Sequence, residues 1–162
     1  MLGTDVELLR GIIVKKVPKS PLDEFINQVL MMRLMAALPT GYIVRREGPL
    51  TTTDSEPEPN ISVVPGVPVD WLEGHPTNAH LAVEVSITTQ DVDEEKASIY
   101  AETGVLEYWL VRPAEREVDV FRGLSNTGYA TRKTLRDGDT LDCVGLPAVK
   151  IAVTDIFPPR GR

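Results

Sequence analysis

The sequence predicts an α/β domain: a mixed β-sheet flanked by helices and preceded by an N-terminal β-hairpin. Three observations carry that expectation. Leu81, Val83 and Val85 alternate with Ala82, Glu84 and Ser86, which is the period of a strand. After the polar stretch Thr88 to Gln90 the period changes to about 3.6, with Val92, Ile99 and Tyr100 forming a stripe and Lys96 inside it. Several more strand-like segments, among them the apolar run Glu107 to Val111, surround only two helical ones unevenly, which favours a mixed sheet. With 162 residues, 42% hydrophobic and 25% charged, the composition suits one globular domain spanning residues 1–162.

In chain order, Val6 to Val17 holds two apolar runs around Arg10-Gly11 and reads as the hairpin. Ser20, Pro21 and Asp23 supply a hydroxyl cap, a proline at the first helical position and an acid near the free amides. That helix is expected to reach about Leu38, with Phe25, Val29, Met32 and Met35 or Ala36 at helical spacing, until Pro39 and Gly41 stop it. Strands follow at Tyr42 to Val44 and Ile61 to Val64, and residues 65–78, rich in proline and glycine, read as a long surface loop. The second helix covers 91–103 with Gly104 as its stop. Glu107 to Val111, Glu117 to Phe121, Tyr129 to Leu135 and short segments near Thr140 to Val144 and Lys150 to Val153 complete the strands.

Composition narrows the function classes. No apolar run approaches the ~18 residues of a membrane span, and no secretory signal opens the chain, so the expectation is a cytoplasmic protein without a membrane partner. The single Cys143 rules out an internal disulfide and, with only His75 and His80 beside it, makes zinc a poor fit. The formal charge of −7 opposes non-specific nucleic-acid binding by bulk electrostatics, but it is unevenly spread. Residues 61–110 hold one base, Lys96, against nine acids, while the rest of the chain holds 16 bases and 15 acids. An acidic pole flanked by Arg45, Arg46, Arg112 and Arg132 is compatible with a cation-binding cleft whose rim meets phosphates, and equally with a solvated surface.

Glu84 on its strand and Lys96 on the inner face of the next helix point toward one place. Charges are rarely buried unless paired or coordinating an ion, so the two suggest either a polar site or a structural ion pair.

The segments EPEPNISVV (56–64), HPTNAHLAVEVS (75–86), DEEKASIYAETGVLEYWLV (93–111), VDVFR (118–122) and DIF (155–157) resemble the Uma-two family of endonucleases, within the PD-(D/E)XK or restriction-endonuclease-like superfamily. ELLRGIIVKK and the helix after SP also fit, so the likeness covers nearly the whole chain. The resemblance implies a restriction-endonuclease-like fold, a DNA substrate, a Mg2+ or Mn2+ cofactor and a homodimer. It also implies a site made of an aspartate after proline, a glutamate on the next strand and a lysine displaced onto the following helix. In this chain the glutamate is Glu84 and the lysine is Lys96, with Ser86 at the usual lysine place. At the aspartate position stands Asn60.

Phosphodiester hydrolysis needs a hard cation held by oxygen ligands, to bind a phosphate oxygen and activate water, and a lysine to offset the charge that develops. Asparagine keeps one oxygen ligand and loses a full negative charge. Glu58, roughly 7 Å along an extended chain from residue 60 and on the same face, is a candidate to compensate. The implied function is a metal-dependent endonuclease weakened or silenced by Asn60; the alternative is a non-catalytic descendant that binds nucleic acid or protein. Among the neighbours, Asp91 with Glu94 reads as a capping box, Tyr100, Tyr108 and Trp109 as core aromatics, and Glu24 as a solvated helix acid or a supplementary site acid.

Overall fold

The computed structural model describes residues 6–85 and 90–161. It opens with β1 (Val6–Leu9) and β2 (Ile12–Lys15), an antiparallel hairpin. Arg10 (φ 54°) and Gly11 (φ 77°) both have positive φ, the requirement of a type I′ turn whose twist matches the flanking strands. The hairpin is tied to the body by Gly11 N–H to the Asp54 carbonyl and Glu56 N–H to the Leu8 carbonyl, each 2.7 Å.

Helix α1 (Pro21–Ala37) starts as its sequence dictates: Ser20 Oγ accepts from Asp23 N–H at 3.1 Å, and the Asp23 carboxylate accepts from Ser20 N–H at 3.0 Å. Its buried face differs from the expected spacing. Ile26, Leu30 and Leu34 are fully buried, whereas Phe25, Met32 and Met35 are exposed. The apolar residues of α1 lie on two stripes, and only the one carrying Ile26, Leu30 and Leu34 packs into the core with the sheet and the C-terminal hairpin.

The sheet runs in the order β3 (Tyr42–Arg46), β4 (Ile61–Pro65), β5 (Leu81–Val85), β6 (Glu107–Arg112), β7 (Glu117–Ser125) and β8 (Gly128–Leu135). Its β5–β6 pair is parallel and the other pairs are antiparallel, which makes it a mixed sheet. A parallel pair needs a long crossover, here α2 (Gln90–Thr103), which ends at Gly104 with φ 93°. Loop 65–78 is not wholly irregular: Pro68–Trp71 forms a 3-10 turn. The chain finishes with a second hairpin, β9 (Thr140–Cys143) and β10 (Leu146–Ala152), and the short helix α3 (Val153–Ile156).

Strand alternation divides the core in two. Ile61, Val63, Leu81, Val83, Trp109 and Val120 pack on the side of α1 and the C-terminal hairpin. Val64, Ala82, Tyr108, Leu110 and Phe121 pack with Tyr100 of α2 on the other side. The inner face of α2 is Asp93, Lys96, Ile99 and Tyr100, with Val92 only half-buried, so the expected stripe is shifted by one residue at its start. Asp91 lies inside the first turn of α2, not at its cap. Among the described residues no helix is long and apolar enough to cross a membrane.

Candidate active site

The register Ile61↔Val83 places residue 60, just before β4, opposite Glu84. Because Val83 and Val85 face α1, the Glu84 side chain faces α2. Asn60 N–H donates to Glu84 Oε1 at 3.1 Å, and Val85 N–H donates to Asn60 Oδ1 at 2.8 Å, so position 60 is locked to β5 by its backbone and its side chain. From α2, the Lys96 ammonium donates to Glu84 Oε2. One turn further on, the Tyr100 hydroxyl lies 3.5 Å from Glu84 Oε1. Asn60, Glu84 and Lys96 therefore meet where β4, β5 and α2 come together.

A fourth residue meets them. Glu7 of β1 is 4% exposed, and its Oε2 lies 3.0 Å from the Lys96 ammonium, 89 residues away in sequence. Glu7 Oε1 also accepts from Glu58 N–H at 2.7 Å. The sequence reading missed Glu7. Its signal was that it shares a strand phase with the buried Leu9, which puts an acid on the covered side of the hairpin.

The remaining candidates lie outside this cluster or beyond description. The Glu58 carboxylate pairs with Lys16, so its link to the site here is its backbone N–H. Exposed Glu24 pairs with Arg46 at the surface. His80 Nε2 donates to the Val144 carbonyl at 2.7 Å, and His75 Nδ1 lies 3.4 Å from the Arg45 guanidinium. Ser86 is outside the described residues. Tyr108 and Trp109 are fully buried core aromatics, as expected, whereas Tyr100 is both core and site.

Burial governs the electrostatics. The Glu84 carboxyl is pushed up to about 7, because desolvation and the neighbouring Glu7 carboxylate outweigh the stabilising Lys96 and the Asn60 N–H. Burial alone would lower Lys96, but the Glu84 and Glu7 carboxylates more than reverse it, and its pKa lies above the ordinary lysine value. Tyr100 is raised well above the ordinary phenol by burial and by Glu84, and stays a neutral donor.

The site's oxygen donors are two carboxylates and one carboxamide, a hard donor set that suits Mg2+ or Mn2+, ions that keep part of their water shell. Among the described residues no group of three or more histidine, cysteine or acidic side chains is placed to hold a metal. A further buried acid, Asp119, lies on the same sheet face beyond Leu110. Burial would raise it, but hydrogen bonds from Arg132, Thr134 and Arg112 prevail and hold it below the usual carboxylate range. It is the centre of a satisfied ion cluster.

The family model for Uma2, described as "Putative restriction endonuclease", matches residues 2–154. The chain belongs to the Uma2 family. The Uma2 chain is also similar to a crystal structure described as a putative nuclease belonging to DUF820, from Anabaena variabilis ATCC 29413. The two share 15% sequence identity with a TM-score of 0.80, over 94% of this chain and 89% of that one. That likeness establishes the nuclease-type mixed α/β fold for this Uma2 protein. No curated protein matches it.

Proposed function

We propose that this Uma2 protein is a metal-dependent DNA endonuclease acting in the cytoplasm, with a site weakened by asparagine at position 60. The observation that carries the reading is the convergence of buried Glu84 and Lys96 with Asn60 at the junction of β4, β5 and α2 in a chain of a nuclease family. Glu84 and the Asn60 carboxamide oxygen would hold Mg2+ or Mn2+, which when bound polarises a phosphate oxygen and makes water a better nucleophile. Lys96 offsets the negative charge that develops on the phosphoryl oxygens in the transition state. Glu58 serves as a ligand only after leaving Lys16, so its steady contribution is the N–H that positions Glu7.

Asn60 is also the observation that favours the second reading, a non-catalytic descendant that binds nucleic acid or protein. Nicking of supercoiled plasmid in Mg2+ or Mn2+ separates the two. Asn60→Asp changes volume little and adds a charged oxygen ligand, so it is expected to raise cation affinity and nicking by about tenfold or more. Adding Lys96→Ala to that variant removes the gain, and Glu84→Ala stays at background. Equal activity of the natural protein and Asn60→Asp would show that the site is not weakened; silence of both would leave the binding reading.

A two-fold homodimer completes the proposal. The edge strands β3 and β8 carry Arg45, Arg46, Arg132 and Lys133, charges that discourage edge-to-edge pairing. The outer face of α1 instead presents Leu22, Phe25, Val29 and Met32 at alternating three- and four-residue spacing, a seam that two copies can share antiparallel. Sedimentation velocity is expected to show a dimer that Met32→Glu converts to monomer. A concentration-independent natural monomer would refute it.

A further inference from the structure

The Lys96 ammonium has three N–H donors, and its described contacts go to Glu7 Oε1 at 3.1 Å, Glu7 Oε2 at 3.0 Å and Glu84 Oε2. Glu7 and Glu84 are 4% and 6% exposed, and the Glu58 N–H fixes the Glu7 carboxylate from outside at 2.7 Å. A positive centre is thus held between two buried carboxylates that come from β1 and β5. Two ionised carboxylates against one ammonium leave one negative charge over, whereas a divalent ion in the ammonium's place would balance both. Asn60 cannot supply that second charge: its side chain is neutral, and its Oδ1 already accepts from Val85 N–H at 2.8 Å.

We propose that Glu7 is the second carboxylate of the cation site, standing in for the missing aspartate, and that the Lys96 ammonium occupies the cation's position. Lysine and cation compete for the same pair of acids. The lysine must turn away from Glu7 before the cation enters, and it is then free to meet a phosphate. The site is self-occluded until that exchange. This inference rests on the nuclease reading for the identity of the cation and adds to it a ligand and an internal competitor.

The test is Mn2+ binding to the full chain without DNA, by calorimetry and by electron paramagnetic resonance of free Mn2+, alongside plasmid nicking. Glu7→Gln keeps an oxygen for the Glu58 N–H and leaves the Lys96–Glu84 pair. It is expected to weaken Mn2+ binding by about tenfold or more, and Asn60→Ala by distinctly less. Lys96→Met removes the competitor and is expected to tighten binding by a similar factor. Should Lys96→Met fail to fold, the contrast between Glu7→Gln and Asn60→Ala decides alone. Mn2+ binding unchanged in Glu7→Gln, no tighter in a folded Lys96→Met, or absent from all four proteins overturns the proposal. Cleavage that needs Glu84 while Glu7→Gln binds Mn2+ normally would sink this inference and spare the nuclease reading. The expected binding pattern without cleavage from any variant would do the reverse.

Discussion

At position 60 an amide stands where the family pattern has a carboxylate, yet the position keeps its architecture, with one hydrogen bond to Glu84 and one from Val85. The residue that responds to pH is Glu84. Its carboxyl is raised from the ordinary 4.5 to about 7 by burial first, then by Glu7, so between those values the folded chain holds a proton that the unfolded chain has released. Stability therefore falls as pH rises from about 4.5 through 7 and levels off above it. Lys96 is raised and stays charged across that window, so it adds no slope there. Thermal midpoints measured from pH 5 to 8.5 are expected to decline, and Glu84→Gln to flatten the decline; a natural protein with a flat profile would contradict the assignment. Glu84 and Lys96 were legible in the sequence because each lies within a short segment whose period fixes its direction, whereas Asn60 was reached only through the family resemblance. Glu7 was not, because its partner is 89 residues away and nothing local announces that a hairpin strand will close over α2.

Among the elements, α1 separates what local pattern can and cannot specify. The start was legible, since Ser20, Pro21 and Asp23 act on backbone groups within one turn. Ser20→Ala is expected to cost about 1 kcal/mol, read as a lower thermal midpoint. The buried face was not legible, because Phe25 and Met32 keep helical spacing as well as Ile26, Leu30 and Leu34 do, and only the sheet chooses between them. Chemical denaturation tests the choice: Leu30→Ala is expected to cost about 2–5 kcal/mol, and Met32→Ala far less at concentrations where the chain is monomeric. A Met32→Ala as damaging as Leu30→Ala would mean that the outer stripe is core. The mixed sheet was foreseen because β5 alternates, β6 is a short apolar run, and the strand-like segments surround only two helical ones unevenly. The four-residue α3 was missed, being too short to carry a period.

On the scale of the whole molecule, a charge of −7 must be reconciled with a polyanionic substrate. The acids concentrate around α2, while three cations gather near the site on the other side. Lys16 pairs with Glu58, Lys19 with Glu47 and Arg46 with Glu24. Their crowding is visible at Lys19, whose pKa is lowered by burial first, then by Arg46, with Lys16 adding to it and Glu84 opposing. Glu24 and Glu47, about half exposed at 51% and 44%, can readily be exchanged for a phosphate, while the more sheltered Glu58, at 18%, must also release Lys16. Exposed pairs of this kind are weak, so the exchange costs little. DNA binding through this rim should depend on salt with a log–log slope of about −3, one counterion for each cation, measured by fluorescence anisotropy on Glu84→Ala to prevent cleavage. Removing Lys19 or Arg46 by alanine should each reduce the slope by about 1 and weaken binding alike on all sequences. A triple Lys16, Lys19 and Arg46 variant that binds DNA with an unchanged slope would place the nucleic acid on another face, with Arg112 and Arg132 the next cations along the sheet.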